Sequence, residues 1–120
     1  VGANGVVGRY GEDVAARHLS DAGLVVLARN WRSRRGEIDI IARDGDVLVV
    51  CEVKTRRGEG FGTPLEAVTP SKAYRLRLLT GEWLAKERGL GPFKEIRFDV
   101  IGVLRPPSGP ALVHHVKGAF

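Results

Sequence analysis

Two apolar runs of this chain carry four ionisable side chains. The stretch GEIDIIARDGDVLVVCEVK, from Gly36 to Lys54, contains Glu37, Asp39, Glu52 and Lys54. Burying such groups is costly unless they pair or hold a cation. Crowded carboxylates repel one another and rise in pKa unless positive charge intervenes. Two or three carboxylate oxygens plus waters are what Mg²⁺ favours. A lysine two residues beyond a carboxylate can steady an attacking hydroxide or a phosphate oxygen. The residue types therefore suit metal-assisted hydrolysis of a phosphate ester. The competing arrangement is an internal ion-pair network, with Lys54 on Glu52 and Arg35 on Glu37.

Geometry decides whether these groups can meet. Strand side chains alternate between faces. A two-residue turn at Asp44-Gly45 sets Arg43 opposite Asp46, Asp39 opposite Val50 and Glu37 opposite Glu52. All four groups then share one face of the sheet, whereas a bulged three-residue loop separates them. Glu12 adds a possible oxygen ligand. It lies within the apolar stripe of a helix expected from Arg9 to Ala22, among Ala15, Ala16 and Leu19. Arg9, Asp13, Arg17 and Asp21 make the wet face of that helix, and Gly23 is its stop.

The elements that position these residues follow from pattern. Leu24 to Trp31 reads as a strand, followed by the hairpin strands GEIDIIA and VLVVCEVKT. TRRGEGFGTP reads as a basic, Gly-rich loop; the spacing of Gly58, Gly60 and Gly62 is not that of a nucleotide cradle. Thr69 and Pro70 fit N-cap and N1 of a second helix running to about Arg88. Its inner face holds Ala73, Leu76, Leu79, Thr80, Trp83 and Leu84. The strands IRFDVIGVL and ALVHHV close the chain. VLVVCEV is apolar enough for a central strand covered on both faces, and a long helix before IRFDVIGVL suits a crossover between parallel strands. The expected fold is an α/β sandwich with a mixed sheet, as one domain over residues 1–120.

Bulk properties narrow the function. The chain has 120 residues, a net charge of +5 and a single cysteine, Cys51. One cysteine excludes an internal disulfide framework and a Cys-rich zinc site, and fits a cytoplasmic location. No apolar run approaches the ~20 residues of a membrane span. The opening VGANGVVGRYGED lacks the pattern of a secretory leader, and the absence of any Met, position 1 included, fits a trimmed start. The isoelectric point near 9.9 and the clusters ARNWRSRR and KTRRGEG suit contacts to a phosphate backbone. Arg56 and Arg57 are the expected nucleic-acid contacts. Lys72, at the start of the second helix, either joins them or is simply solvated. Asp99 is expected to bond backbone or an arginine. His18, His114 and His115 lack metal spacing, and Cys51, facing away from Glu52, is expected in the core with Trp31 and Trp83.

Asp39…Glu52-Val53-Lys54 resembles the motif of the PD-(D/E)xK nuclease superfamily. The ordered set GRYGEDVAARHL, ARNWR, GEIDIIA, CEVKTR, FGTPLEAV, Pro70-Ser71-Lys72, RFDVIGV and HHVKGAF is more specifically similar to the YraN family of small bacterial proteins, over nearly the whole chain. The departure is Ile38, which stands where the motif name has Pro. The resemblance implies a restriction-endonuclease-like α/β/α sandwich of about five strands. It implies Mg²⁺ or Mn²⁺ on Asp39 and Glu52, with Lys54 as catalytic lysine. Glu12 matches the helix-borne glutamate of the Holliday-junction-resolvase branch and joins the catalytic and metal set. The implied activity is metal-dependent cleavage of nucleic acid, with DNA favoured and branched or damaged DNA among the substrates. A homodimer is implied by analogy alone. The alternatives are a non-catalytic nucleic-acid-binding module of the same fold, and an interaction protein whose charged cluster is structural.

Overall fold

A computed structural model describes the backbone of residues 2–57, 68–87 and 89–120, and side chains from residue 8 onward within those ranges. The expected loop glycines Gly58, Gly60 and Gly62, and Arg88 as helix end, lie outside the described residues. The order is α1 (Gly2–Asp21), β1 (Val25–Ser33), β2 (Gly36–Asp44), β3 (Val47–Arg57), α2 (Pro70–Lys86), β4 (Glu95–Arg105) and β5 (Leu112–Val116). The five strands form one sheet in the order β1-β2-β3-β4-β5. All neighbours are antiparallel except β3 and β4, which run parallel and are joined through α2. The architecture is thus the expected α/β sandwich with a mixed sheet.

Helix α1 begins earlier than its periodicity suggests. The glycines of VGANGVVG, weak helix formers, conceal its first turns. Its end is as expected. Gly23 takes φ +94°, Gly23 N–H donates to Ser20 O (3.0 Å) and Leu24 N–H to Leu19 O (3.0 Å). This pair of bonds satisfies carbonyls that the helix end would leave open. Helix α2 starts where Thr69 caps it, the hydroxyl accepting from Lys72 N–H at 3.2 Å with Pro70 as first helical residue.

Each helix closes one face of the sheet. Ala15 and Leu19 of α1 pack with Ile40, Val49, Cys51 and Ile101. Leu76, Leu79 and Trp83 of α2 pack with Ile41, Val50 and Phe98. Burying one such Leu or Ile side chain is worth about 1.5–3 kcal/mol, so each helix is fixed by a few residues at its inner stripe. Ala73, Leu76, Leu79, Thr80 and Trp83 are buried as the helical period requires, while Leu84 is only half-buried. Trp31, expected in the core, is also half-buried, with the Lys86 ammonium 5.6 Å from its ring centre.

Two boundaries differ from the sequence reading. Strand β3 continues to Arg57, because each residue from Val47 to Arg57 has a parallel partner on β4. Arg56 and Arg57 are therefore strand residues, not loop residues. The hairpin turn is Gly45-Asp46, with Asp44 opposite Val47 and φ +60° at Gly45. Gly at the first turn position is one of the two favoured two-residue hairpins. The register moves by two residues from the expected one, so Arg43 faces Leu48 and not Asp46.

Candidate functional site at the hairpin fork

The β2–β3 ladder ends at Ile40↔Cys51. Beyond it, Asp39 uses its side chain where backbone would serve: Oδ2 accepts from Val53 N–H at 2.8 Å. The strands part here because β2 loses its alternation. Ile38 belongs to the α2-side core and Ile40 to the α1-side core, although residues two apart on a regular strand share a face. Asp39 lies between them and lines the clefts on both sides of the sheet. The expected convergence on one face is corrected accordingly. Glu52 faces α2, with Lys54 on the same side of β3, and Asp39 sits in the fork between the two faces.

On the α2 side, Glu52 is 9% exposed and Lys72 Nζ lies 2.8 Å from its Oε1. Lys72 is therefore not a merely solvated first-turn lysine. Lys54 is half-buried, and among the described residues no carboxylate lies within ion-pair distance of it. The alternative pairs Lys54–Glu52 and Arg35–Glu37 do not form. Glu37 pairs instead with Arg32 at 3.1 Å, its cross-strand partner in the β1–β2 register.

On the α1 side, Glu12 is buried, at 6% exposure. Its Oε1 accepts from Arg29 Nε (3.0 Å) and Asn30 Nδ2 (2.7 Å). Both donors reach it because Asn30 adopts φ +52°, a left-handed conformation that Asn tolerates better than most residues. Asn30 falls between the pairs Arg29↔Ile40 and Trp31↔Ile38, and so lies beside Asp39. Glu12 thus approaches the fork from the face opposite Glu52.

The electrostatics single out Asp39. Burial pushes its carboxyl up, to about 7; the charge of Glu52 adds to this and the Val53 N–H bond opposes it. Among the described residues, no cation lies within ion-pair distance of the half-buried Asp39, whereas Lys72 compensates Glu52. Among the described residues, no three His, Cys, Asp or Glu side chains converge to hold one ion. The α2-side cleft measures about 610 Å³ and contains Asp39, Glu52 and Lys72. The α1-side cleft, about 560 Å³, contains Glu12, Asn30 and Asp39. Arg57 lies apart, in a shallow cavity with Arg105, Pro106 and Pro107. Arg56 is exposed and donates to Thr55 O at 3.2 Å.

Residues 11–103 match the model of the uncharacterised protein family UPF0102. The chain belongs to this family. A UPF0102 protein of Kineococcus radiotolerans is 61% identical over 118 residues, covering 98% of this chain and 96% of the relative. Those of Streptomyces coelicolor and Acidothermus cellulolyticus are 57% and 52% identical, over 97% and 98% of this chain and 89% and 96% of the relatives.

In this UPF0102 member the groups that hold Glu12 escape a strand reading of ARNWR; the available signal was an Asn set inside an otherwise strand-like run. Asp99 bonds an arginine and backbone, as expected. It accepts from Arg97 (2.9 and 3.0 Å) and from Gly118 N–H (3.0 Å), and lies 2.7 Å from His115 Nε2. Burial pushes this carboxyl up, but the bonds from His115, Arg97 and Gly118 outweigh it and bring it down to about 2. His18 Nε2 in turn lies 3.0 Å from His115 Nδ1, an association that spacing along the chain does not reveal. Cys51 is fully buried, and burial pushes its thiol up, away from reactivity.

Proposed function

We propose that this chain is a metal-dependent nuclease that hydrolyses phosphodiester bonds of DNA, with Asp39 and Glu52 holding Mg²⁺ or Mn²⁺. The observation that carries this reading is the half-buried Asp39 carboxyl, raised by burial and by Glu52, lining one cleft together with Glu52. Lys72 compensates Glu52 but not Asp39, and a divalent cation held by both carboxylates supplies the remaining positive charge. Mg²⁺ commonly takes one or two carboxylates from a protein and completes its shell with waters and phosphate oxygens, so the donor set fits without a third ligand. The Asp39…Glu52-Val53-Lys54 pattern and the α/β sandwich also suit the PD-(D/E)xK superfamily, and the branched-DNA preference of the resolvase-like branch is carried over from that resemblance.

When bound, the ion supplies Lewis-acid polarisation of a phosphate oxygen and a more acidic water. The protein's part is placement. The Val53 N–H fixes one Asp39 oxygen, and the other makes no hydrogen bond among the described residues. Lys54, on the Glu52 side of β3, orients the attacking water or neutralises charge developing on the phosphate. Lys72, which pairs with Glu52, would be released to a phosphate oxygen if Glu52 held the ion. Glu12, Arg29 and Asn30 brace the opposite wall. Arg56 continues the Glu52–Lys54 face along β3 and holds backbone there. Arg57, at the strand's end, extends the contact only for a longer substrate.

The test uses labelled single-stranded, duplex and branched DNA with Mg²⁺, Mn²⁺ or EDTA. Cleavage is expected only with metal, and to fall by at least about 100-fold in Glu52→Ala and Lys54→Ala. The lysine variant should still bind Mn²⁺, and full activity in it would remove the lysine from the mechanism. The Glu52–Lys72 ion pair favours one second reading, a non-catalytic nucleic-acid-binding module in which that pair is permanent. Tight DNA binding unchanged by Glu52→Ala, with no cleavage of any substrate, would establish that module instead.

A further inference from the structure

The α2-side cleft has a basic wall. Arg34 and Arg35 stand in the turn between β1 and β2, and Arg75 follows Lys72 by three residues on α2; all four line the cleft that contains Asp39 and Glu52. Arg32 is engaged by Glu37, and Lys72 by Glu52. Among the described residues, Arg34, Arg35 and Arg75 have no carboxylate within ion-pair distance. Three arginines thus line one opening without an ion-pair partner, and with Arg32 and Lys72 they outnumber its carboxylates Glu37, Asp39 and Glu52. Like charges gathered this way repel, and an anion from outside would relieve that repulsion.

Gly36 explains how the turn and the helix come together. Its φ of +147° belongs to glycine. A Cβ there would press to 3.3 Å from Arg75 Cδ and 3.5 Å from Leu79 Cδ1. The aliphatic stem of Arg75 therefore lies against bare backbone at the base of the turn. A stem packed like this leaves its charged head free, in the cleft that Arg34 and Arg35 also line. Arginine forks match phosphate oxygens in pairs, and a row of them suits successive phosphates on one strand better than a single small anion.

We propose that Arg34, Arg35 and Arg75 form a phosphate-binding subsite, which takes the phosphodiester groups of a nucleic-acid strand on the α2 side of the scissile bond. The strand passes between the β1–β2 turn and α2, and its bases are not read. The position relative to the cleaved bond rests on the nuclease reading; the binding itself does not.

The experiment measures binding to fluorescent single-stranded and duplex DNA by anisotropy in EDTA, from about 50 to 200 mM salt. The protein carries Asp39→Asn and Glu52→Gln, so no cleavage intervenes. Three variants are compared on that background: Arg34→Ala/Arg35→Ala, Arg75→Lys, and the control Arg17→Ala/Lys94→Ala. The control removes the same formal charge from side chains 81% and 84% exposed. The double cleft variant should bind at least about tenfold more weakly. Its slope of log K against log salt should be shallower by about 1.4 on single strands, two contacts at roughly 0.7 each. Arg75→Lys keeps the stem and the charge but loses the fork, and should weaken binding several-fold at an unchanged melting temperature. The control should change affinity by less than about twofold. Equal losses in control and cleft variants would reduce the effect to net charge and overturn the subsite. So would wild-type affinity and slope in the cleft variants, or no DNA binding by the parent protein. If these differences hold while no substrate is cut by the wild type, the nuclease reading fails and the subsite stands. If cleavage depends on Glu52 but the cleft variants bind normally, the reverse is true.

Discussion

At the scale of single residues, Asp39 and Lys72 make separable predictions. The Asp39 carboxyl is raised from 3.8 to about 7 by burial and by Glu52. A raised carboxyl binds its proton more tightly folded than unfolded. Stability therefore falls as pH rises from the ordinary carboxylate range through about 7. In EDTA, Asp39→Asn should melt higher than wild type at pH 8 and nearly level with it at pH 4, as read by thermal denaturation. A variant less stable at pH 8 would mean that the Val53 N–H bond, which opposes the shift, dominates. Lys72 occupies Glu52 at 2.8 Å, so cation and ammonium compete for the same oxygen. Lys72→Met should bind Mn²⁺ several-fold more tightly by calorimetry, even if it loses DNA affinity. An unchanged Mn²⁺ affinity would place the ion away from Glu52.

At the scale of elements, the approach of α1 to β3 is set by Gly11. A Cβ at that position would overlap the Thr55 side chain. Gly11→Ala should destabilise by about 1–3 kcal/mol, the usual result of overpacking. Gly81 on α2 has open space around it, and Gly81→Ala should stabilise by up to about 1 kcal/mol through helix propensity alone. Urea midpoints of the two variants should thus move in opposite directions, and a shift of the same sign in both would remove the packing argument. The elements themselves were largely legible. Thr69-Pro70 announced α2 because capping needs only neighbours in sequence. The hairpin was legible from Asp-Gly, but not its register: moving the turn by one residue, to Gly45-Asp46, shifts the pairing by two and keeps the faces. The fork was hidden for a different reason. It depends on the Asp39 side chain replacing a ladder partner, and on Asn30 turning left-handed beside it, neither of which is a periodic signal. The Lys72–Glu52 pair was hidden because it needs the crossover already in place.

At the scale of the whole molecule, a polar chain ties distant segments together: Asp44 to Arg97 at 3.6 Å, Arg97 to Asp99, Asp99 to His115 and His115 to His18. It links β2, β4, β5 and α1, residues no local pattern could associate. The direction of each shift fixes the pH response. Asp99 is held down at about 2, so its contribution is complete above the ordinary carboxylate range and is lost as pH falls toward 2. His18 is lowered from 6.5, first by burial, then by His115 and Lys117, with Asp21 opposing. The folded state thus prefers it neutral, and stability falls as pH drops below 6.5. Asp39 acts in the opposite sense over part of that range, which flattens the wild-type profile. Asp39→Asn should expose the remainder: in EDTA its melting temperature should climb with pH from about 3 and level off above about 7. Adding His18→Gln should remove the climb just below 6.5 and leave the acidic limb belonging to Asp99. A profile already flat between about pH 5 and 7 in Asp39→Asn would mean that His18 takes up its proton 3.0 Å from His115 without loosening α1.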